Sequence, residues 1–134
     1  MGGASHGDVR DELEKIRICG KLTKRQMAEL HAIFGSRFTS ALKLVREGRV
    51  KKYVFRPSGR VQWVVAGNAK DYLIYEDAPY CHCEIFYFNI TEGKAKACKH
   101  LIAQRIASQL GLYVLVEEGD ELFESLMEEW RKGG

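Results

Sequence analysis

Metal-binding side chains fall in two short runs of this chain, Cys81-His82-Cys83 and Cys98-Lys99-His100, with 14 residues between Cys83 and Cys98. In an extended strand, residues two apart face the same side, so Cys81 and Cys83 can present two thiolates together while His82 points away. The second run stands where a loop enters a helix and can close over the first. Three thiolates and one imidazole form the set that structural zinc prefers; iron and copper also suit thiolates, whereas magnesium and calcium do not. All four positions are filled by protein, with none left for water or substrate, so the expected role is structural rather than hydrolytic. Lys94, Lys96 and Lys99, with the adjacent helix N-terminus, can offset the negative charge of zinc bound by three thiolates. Cys19 and His31 read as residues of a helical layer with no ligand role.

The elements that must position these residues follow from hydrophobic periodicity. Thr23 and Gln26 have capping-box spacing, and Leu22 and Met27 stand as a hydrophobic staple, so a helix begins there. Met27, Leu30, His31 and Phe34 repeat at helical spacing. Gly35 and Ser36 interrupt the repeat; Phe38, Ala41, Leu42 and Val45 resume it until Gly48, giving a helical hairpin. From Val50 the period shortens to two through Tyr53, Phe55, Val61, Trp63, Val65, Tyr72 and Ile74. Turns at Pro57-Ser58-Gly59 and Gly67-Asn68-Ala69 predict a three-stranded antiparallel meander. Leu101, Ala103, Ile106, Ala107 and Leu110 place a helix after Cys98 that Gly111 closes. Phe123, Leu126, Met127 and Trp130 define a last amphipathic helix that Asp120 is positioned to cap.

With 134 residues, 46% hydrophobic and 29% charged, the composition is that of one globular domain with a real core. No run approaches the roughly 20 apolar residues of a membrane span, and the opening residues lack a signal-peptide plan, so the expectation is an intracellular, soluble protein. Residues 1–60 carry 14 Lys and Arg against 6 Asp and Glu, and residues 61–134 carry 7 against 12, a balance of +8 beside −5. Arg46, Arg49, Lys51, Lys52, Arg56 and Arg60 are therefore candidate DNA contacts, with Tyr53, Phe55 and Trp63 nearby for base stacking. A solvated basic face is the alternative. No GxxxxGK[ST] loop, GxSxG elbow or Ser-His-Asp order stands out, so no catalytic residue is assigned and no enzyme activity is expected.

Cys81-x-Cys83…Cys98-x-His100, with Ala103 where the extended motif commonly has alanine, resembles the SWIM zinc-finger family. Over roughly residues 30–110, Phe34-Gly35-Ser36, Ala41-Leu42, Val45, Pro57-Ser58-Gly59-Arg60, Phe86-Tyr87-Phe88 and Cys98-Lys99-His100-Leu101 are similar in order and spacing to the stand-alone SWIM subunit of the Shu homologous-recombination complex. The resemblance implies one structural zinc at Cys81, Cys83, Cys98 and His100. It also implies pairing with a RecA-fold recombinase paralogue, and through that heteromer single-stranded DNA, to promote recombinase filaments in DNA repair. Nuclear placement is implied for a eukaryotic source, cytoplasmic or nucleoid placement for an archaeal one. Phe86, Phe88, Phe123 and Trp130 are candidate partner anchors. A SWIM finger that binds DNA directly, without a recombinase paralogue, is the alternative function.

The expected fold is thus α+β. Residues 1–21 form a partly disordered N-terminal segment, 22–48 a helical hairpin, 49–110 the SWIM module with its small three-stranded sheet and zinc-locked finger, and 111–134 a C-terminal amphipathic helix.

Overall fold

The computed structural model describes residues 4–76, 80, 81, 83 and 97–132. Three helices come first: α1 (Ala4–Glu14), α2 (Lys24–Phe34) and α3 (Ser36–Arg46). Strands β1 (Val50–Arg56), β2 (Arg60–Ala66), β3 (Asp71–Tyr75) and β4 (Tyr80–Cys81) follow. Helix α4 (Lys99–Leu110), strand β5 (Val114–Gly119), a 3-10 turn (Asp120–Leu122) and helix α5 (Phe123–Lys132) complete the chain. The α+β class expected from the sequence holds, but among the described residues the sheet has five strands, in the order β4-β3-β2-β1-β5.

Local chemistry sets the helix boundaries. The Thr23 hydroxyl accepts the backbone N–H of Gln26 at 3.1 Å and starts α2. The Gln26 amide does not close the reciprocal half of a capping box; it donates instead to the carbonyl of Arg17. Between α2 and α3, Gly35 adopts φ +61° and ψ −136°, a conformation that residues with a β-carbon rarely reach, so the hairpin turns in a single residue. Leu30, Phe34, Phe38, Ala41 and Val45 then line the buried side of the hairpin.

The meander is antiparallel as its spacing predicts, with Val50 opposite Val65 and Trp63 opposite Ile74. Alternation sends Val50, Trp63, Val65, Ile74 and Cys81 to one face, where α1, α3 and α4 build the larger core. It sends Phe55, Val64 and Leu73 to the other face, under Met127 and Trp130 of α5. Both faces of β2 are covered, which is why its sequence reads as a nearly unbroken apolar run.

Within residues 1–21, expected as a partly disordered segment, Val9, Leu13, Ile16 and Ile18 are buried in the larger core, and Gln109 of α4 accepts the N–H of Ile18 and donates to the carbonyl of Ile16. Three expectations are corrected. Residues 114–119 form a strand rather than part of a terminal helix, running parallel to β1 from Lys51 opposite Val114 to Arg56 opposite Gly119. Asp120 does not cap α5; its carboxylate accepts the backbone N–H and hydroxyl of Ser58 at 3.0 and 2.7 Å, tying the β1–β2 turn to the chain after β5. Cys19 lies exposed between α1 and α2, not in a helical layer, and His31 is also exposed.

Helix α5 packs in cis. Trp130 is 5% exposed and meets Tyr53 edge-on at 4.8 Å, and Phe123 meets Phe55 edge-on at 5.0 Å. Truncating a buried aromatic of this size costs about 3–5 kcal/mol. Trp130→Ala is therefore expected to lower the urea midpoint of the chain by a corresponding amount, read by far-UV circular dichroism; an unchanged midpoint would mean that α5 does not close this face.

Candidate metal centre

Strand β4 and helix α4 bring the two halves of the motif together. Cys81 pairs in register with Ile74, which fixes its side chain toward the larger core, and Cys98 is the N-cap of α4, with extended φ −80° and ψ 168°. His100, the second residue of α4, lies in its first turn, and its ring reaches the same cluster. The ligand atoms of Cys81, Cys83, Cys98 and His100 all lie within 4.8 Å of one another, and all four residues are buried. A tetrahedron with metal–sulfur bonds of roughly 2.3 Å has edges of about 3.8 Å, so small side-chain adjustments suffice to close it.

The strongest sign that an ion belongs here is a polar atom without a partner. His100 is 6% exposed, and its Nδ1 is buried with no hydrogen bond. Leaving such an atom unsatisfied is costly, and a cation in the cluster would supply what the protein does not. The ring is held by Tyr72, which stacks on it at 4.2 Å and 27°, while the Lys70 ammonium lies 5.2 Å from the other participant, the Tyr72 ring. The donor set fits zinc: three soft thiolates and one imidazole, gathered within 4.8 Å and all buried.

Without a cation, burial pushes the Cys98 thiol up to about 12 and the Cys81 thiol well above its ordinary value, with the neighbouring thiols adding to the effect at Cys81. The Cys81 and Cys98 thiols are then protonated at neutral pH, and a metal must displace their protons. Two pH dependences follow with opposite signs. Metal affinity falls as pH falls, approaching roughly three orders of magnitude per pH unit when three thiol protons are displaced. The metal-free chain is most stable below the unfolded thiol value of roughly 8.5 and loses stability as pH rises above it, because the unfolded thiols ionise while the buried ones resist.

Two residues that the motif does not contain position its second half. Ala97, immediately before Cys98, is fully buried; its N–H donates to Oε1 of Glu12 at 2.6 Å, and its carbonyl accepts from Nη1 of Arg37 at 2.6 Å. Glu12 and Arg37 also join each other through two bonds of 3.0 and 3.2 Å. Arg37 is legible in the sequence only as one charge of a basic stretch, and Glu12 only as one acidic residue of the N-terminal segment. A cleft of about 200 Å³, lined by Ser36, Arg37, Ser40 and Lys99, opens onto Cys98 and His100.

The candidate DNA residues do not form one free face. Arg49 bonds Glu47 and the carbonyls of Ala66 and Gly67, and Arg56 pairs with Glu117 at 3.3 Å. Arg60 lies over the Phe123 ring at 4.2 Å, and Lys52 lies between the rings of Trp63 and Tyr113. Lys51 and Lys52 are consecutive on β1 and so point to opposite faces. Arg46 is exposed at the end of α3. Base stacking by Phe55 and Trp63 is corrected, because both are buried, and Tyr53 is taken up by Phe55 and Trp130. Among the partner anchors, Trp130 is inside the second core, Phe123 is half-buried beneath Arg60, and Phe86 and Phe88 lie outside the described residues, as do His82, Lys94 and Lys96. Ala103 is fully buried in α4, where a larger side chain would displace the helix from the sheet.

No family model matches the chain, and no solved structure matches it. Curated relatives are found: the Zinc finger SWIM domain-containing protein 7 homolog of Dictyostelium discoideum is 27% identical over 106 residues, covering 78% of this chain and 68% of that protein. Zinc finger SWIM domain-containing protein 7 of Homo sapiens is 32% identical over 85 residues, covering 62% of this chain and 60% of that protein. The resemblance to the SWIM zinc-finger family read from the cysteine and histidine pattern therefore extends over more than half of the chain.

Two measurements check the centre. Titration with zinc against a chromophoric chelator between pH 6 and 8 is expected to give one equivalent per chain and the steep pH slope above; a flat slope would mean that thiols are not the ligands. Cys98→Ser is expected to weaken zinc at least 100-fold, because it removes one thiolate and leaves a hydroxyl of much higher pKa.

Proposed function

We propose that the chain is a non-catalytic, zinc-binding SWIM adaptor that pairs with a RecA-fold recombinase paralogue, and through that heteromer assists homologous recombination, DNA repair and recombinase filament assembly on single-stranded DNA. The observation that carries the reading is the Cys81, Cys83, Cys98 and His100 cluster, four buried protein ligands that together fill a tetrahedral set and are hence suited to holding a shape rather than turning over a substrate. The Shu-subunit likeness of the sequence and the SWIM names of the relatives support it.

The surface that a partner would use differs from the one expected from aromatic residues alone, since Trp130 is internal. Among the described residues, β5 is bonded on its β1 side only, and Leu112, Val114 and Leu115 beside it are 43–56% exposed. An edge strand with apolar side chains on both faces suits pairing with a strand of another protein, the backbone giving affinity and the side chains specificity. In the proposed complex this edge joins Phe86 and Phe88 as docking elements. Nuclear or nucleoid placement follows from the proposed role. No helix among the described residues is long and apolar enough to cross a membrane.

Direct DNA binding without a recombinase paralogue is the second reading. It rests on charge, and the engagement of Arg49, Lys52, Arg56 and Arg60 within the fold weakens it. Co-expression with RecA-fold paralogues from the same source is expected to give a stable heteromer of defined mass, and Leu115→Lys is expected to weaken it at least 10-fold, about 1.4 kcal/mol. A chain that stays monomeric beside every paralogue, yet binds single-stranded DNA with a steep salt dependence, would transfer the argument to the second reading.

A further inference from the structure

Glu12 and Arg37 come from two different helices and meet on one peptide residue, Ala97, whose two backbone polar groups have no water to turn to. A buried N–H and a buried C=O held from opposite sides fix the orientation of the backbone at that point. The next residue is Cys98 and the third is His100, so whatever fixes Ala97 also fixes where half of the ligand set begins. The Glu12–Arg37 pair carries no net charge. Its influence on the cluster is therefore one of position, in contrast to Lys99, which contributes charge.

We propose that Glu12 and Arg37 are positioning residues for the metal centre: by clamping Ala97 they hold Cys98 and His100 in ligating geometry, and they make metal affinity depend on the docking of α1 and α3. This rests on the reading of Cys81, Cys83, Cys98 and His100 as a metal site. Groups outside the ligand set that orient it typically change metal affinity 10- to 100-fold when removed. Arg37 also forms one wall of the cleft that opens onto Cys98 and His100, so loosening the clamp widens the route by which an ion leaves. Coupling of this kind is reciprocal: an ion in the centre strengthens the seating of α1 by the factor by which α1 strengthens the ion.

The test uses the full chain with zinc and cobalt as probes. Glu12→Ala and Arg37→Ala are each expected to weaken zinc 10- to 100-fold in competition with a chelator, while saturating cobalt still gives the thiolate charge-transfer band of the parent. The double variant is expected to be little weaker than either single one, because both side chains serve one clamp. Met127→Ala, which loosens the opposite core, is expected to leave zinc affinity within twofold. Glu12→Gln and Arg37→Lys, milder changes that keep most of the packing, stand in if the alanine variants do not fold; each loses part of the charge-assisted fork and is expected to weaken zinc in the same order. Affinities within twofold of the parent, losses that simply multiply, or an equal loss in Met127→Ala would overturn the proposal. A parent chain that binds neither zinc nor cobalt would remove the metal reading itself, and the clamp's role with it.

Discussion

Three buried thiols and an imidazole nitrogen without a hydrogen bond cannot be left facing one another in an apolar interior at no cost. At Cys81, Cys83, Cys98 and His100 four metal-ligating groups are gathered in the interior, and Nδ1 of His100 is buried with no hydrogen bond. A cation in their midst resolves the conflict, and structural zinc contributes on the order of 10 kcal/mol to small folds, comparable with the whole stability of a domain this size. The rest of the architecture can be read as the means of bringing those atoms to one point. Strand β4 is only two residues long and owes its place to pairing with β3; β3 is held by β2, and α4 lies across that face with most of its side chains buried.

The second core makes the sheet rigid enough to serve. A single-faced sheet of this length would leave Phe55, Val64 and Leu73 in water, and α5 covers them through Met127 and Trp130. The bond from Ser58 to Asp120 ties the β1–β2 turn to the chain between β5 and α5. The result is a three-layer arrangement in which one helical layer reaches the cluster and the other supports the sheet from behind. Residues that look like surface anchors in the sequence, Trp130 above all, hold the protein together instead.

The elements legible in the sequence are those whose signals are local. Thr23 as an N-cap, Gly35 and Gly111 as breaks, the period-two alternation from Val50 to Ile74 and the ligand spacing all depend on neighbours within a few residues. What escaped was set by distant partners. Val114 to Val116 form three consecutive apolar residues before two glutamates, a pattern that helix and edge strand share, and only pairing with β1, more than fifty residues away, decides for the strand. Val9, Leu13 and Ile16 do carry helical spacing, but their burial depends on α4. Glu12 and Arg37 are surface-type residues by composition; their role follows from where Ala97 passes. The basic run fails as a single patch because alternation along β1 splits it and β5 brings acidic partners beside it.

The central claim is that these four side chains hold one zinc ion as a closed structural site. X-ray absorption at the zinc edge on the purified full chain tests it most directly. The account predicts three sulfur neighbours at roughly 2.3 Å and one nitrogen neighbour at roughly 2.0–2.1 Å, with no oxygen in the coordination sphere. A chain that takes up no zinc when zinc is supplied, or a sphere of nitrogen and oxygen without sulfur, would contradict it.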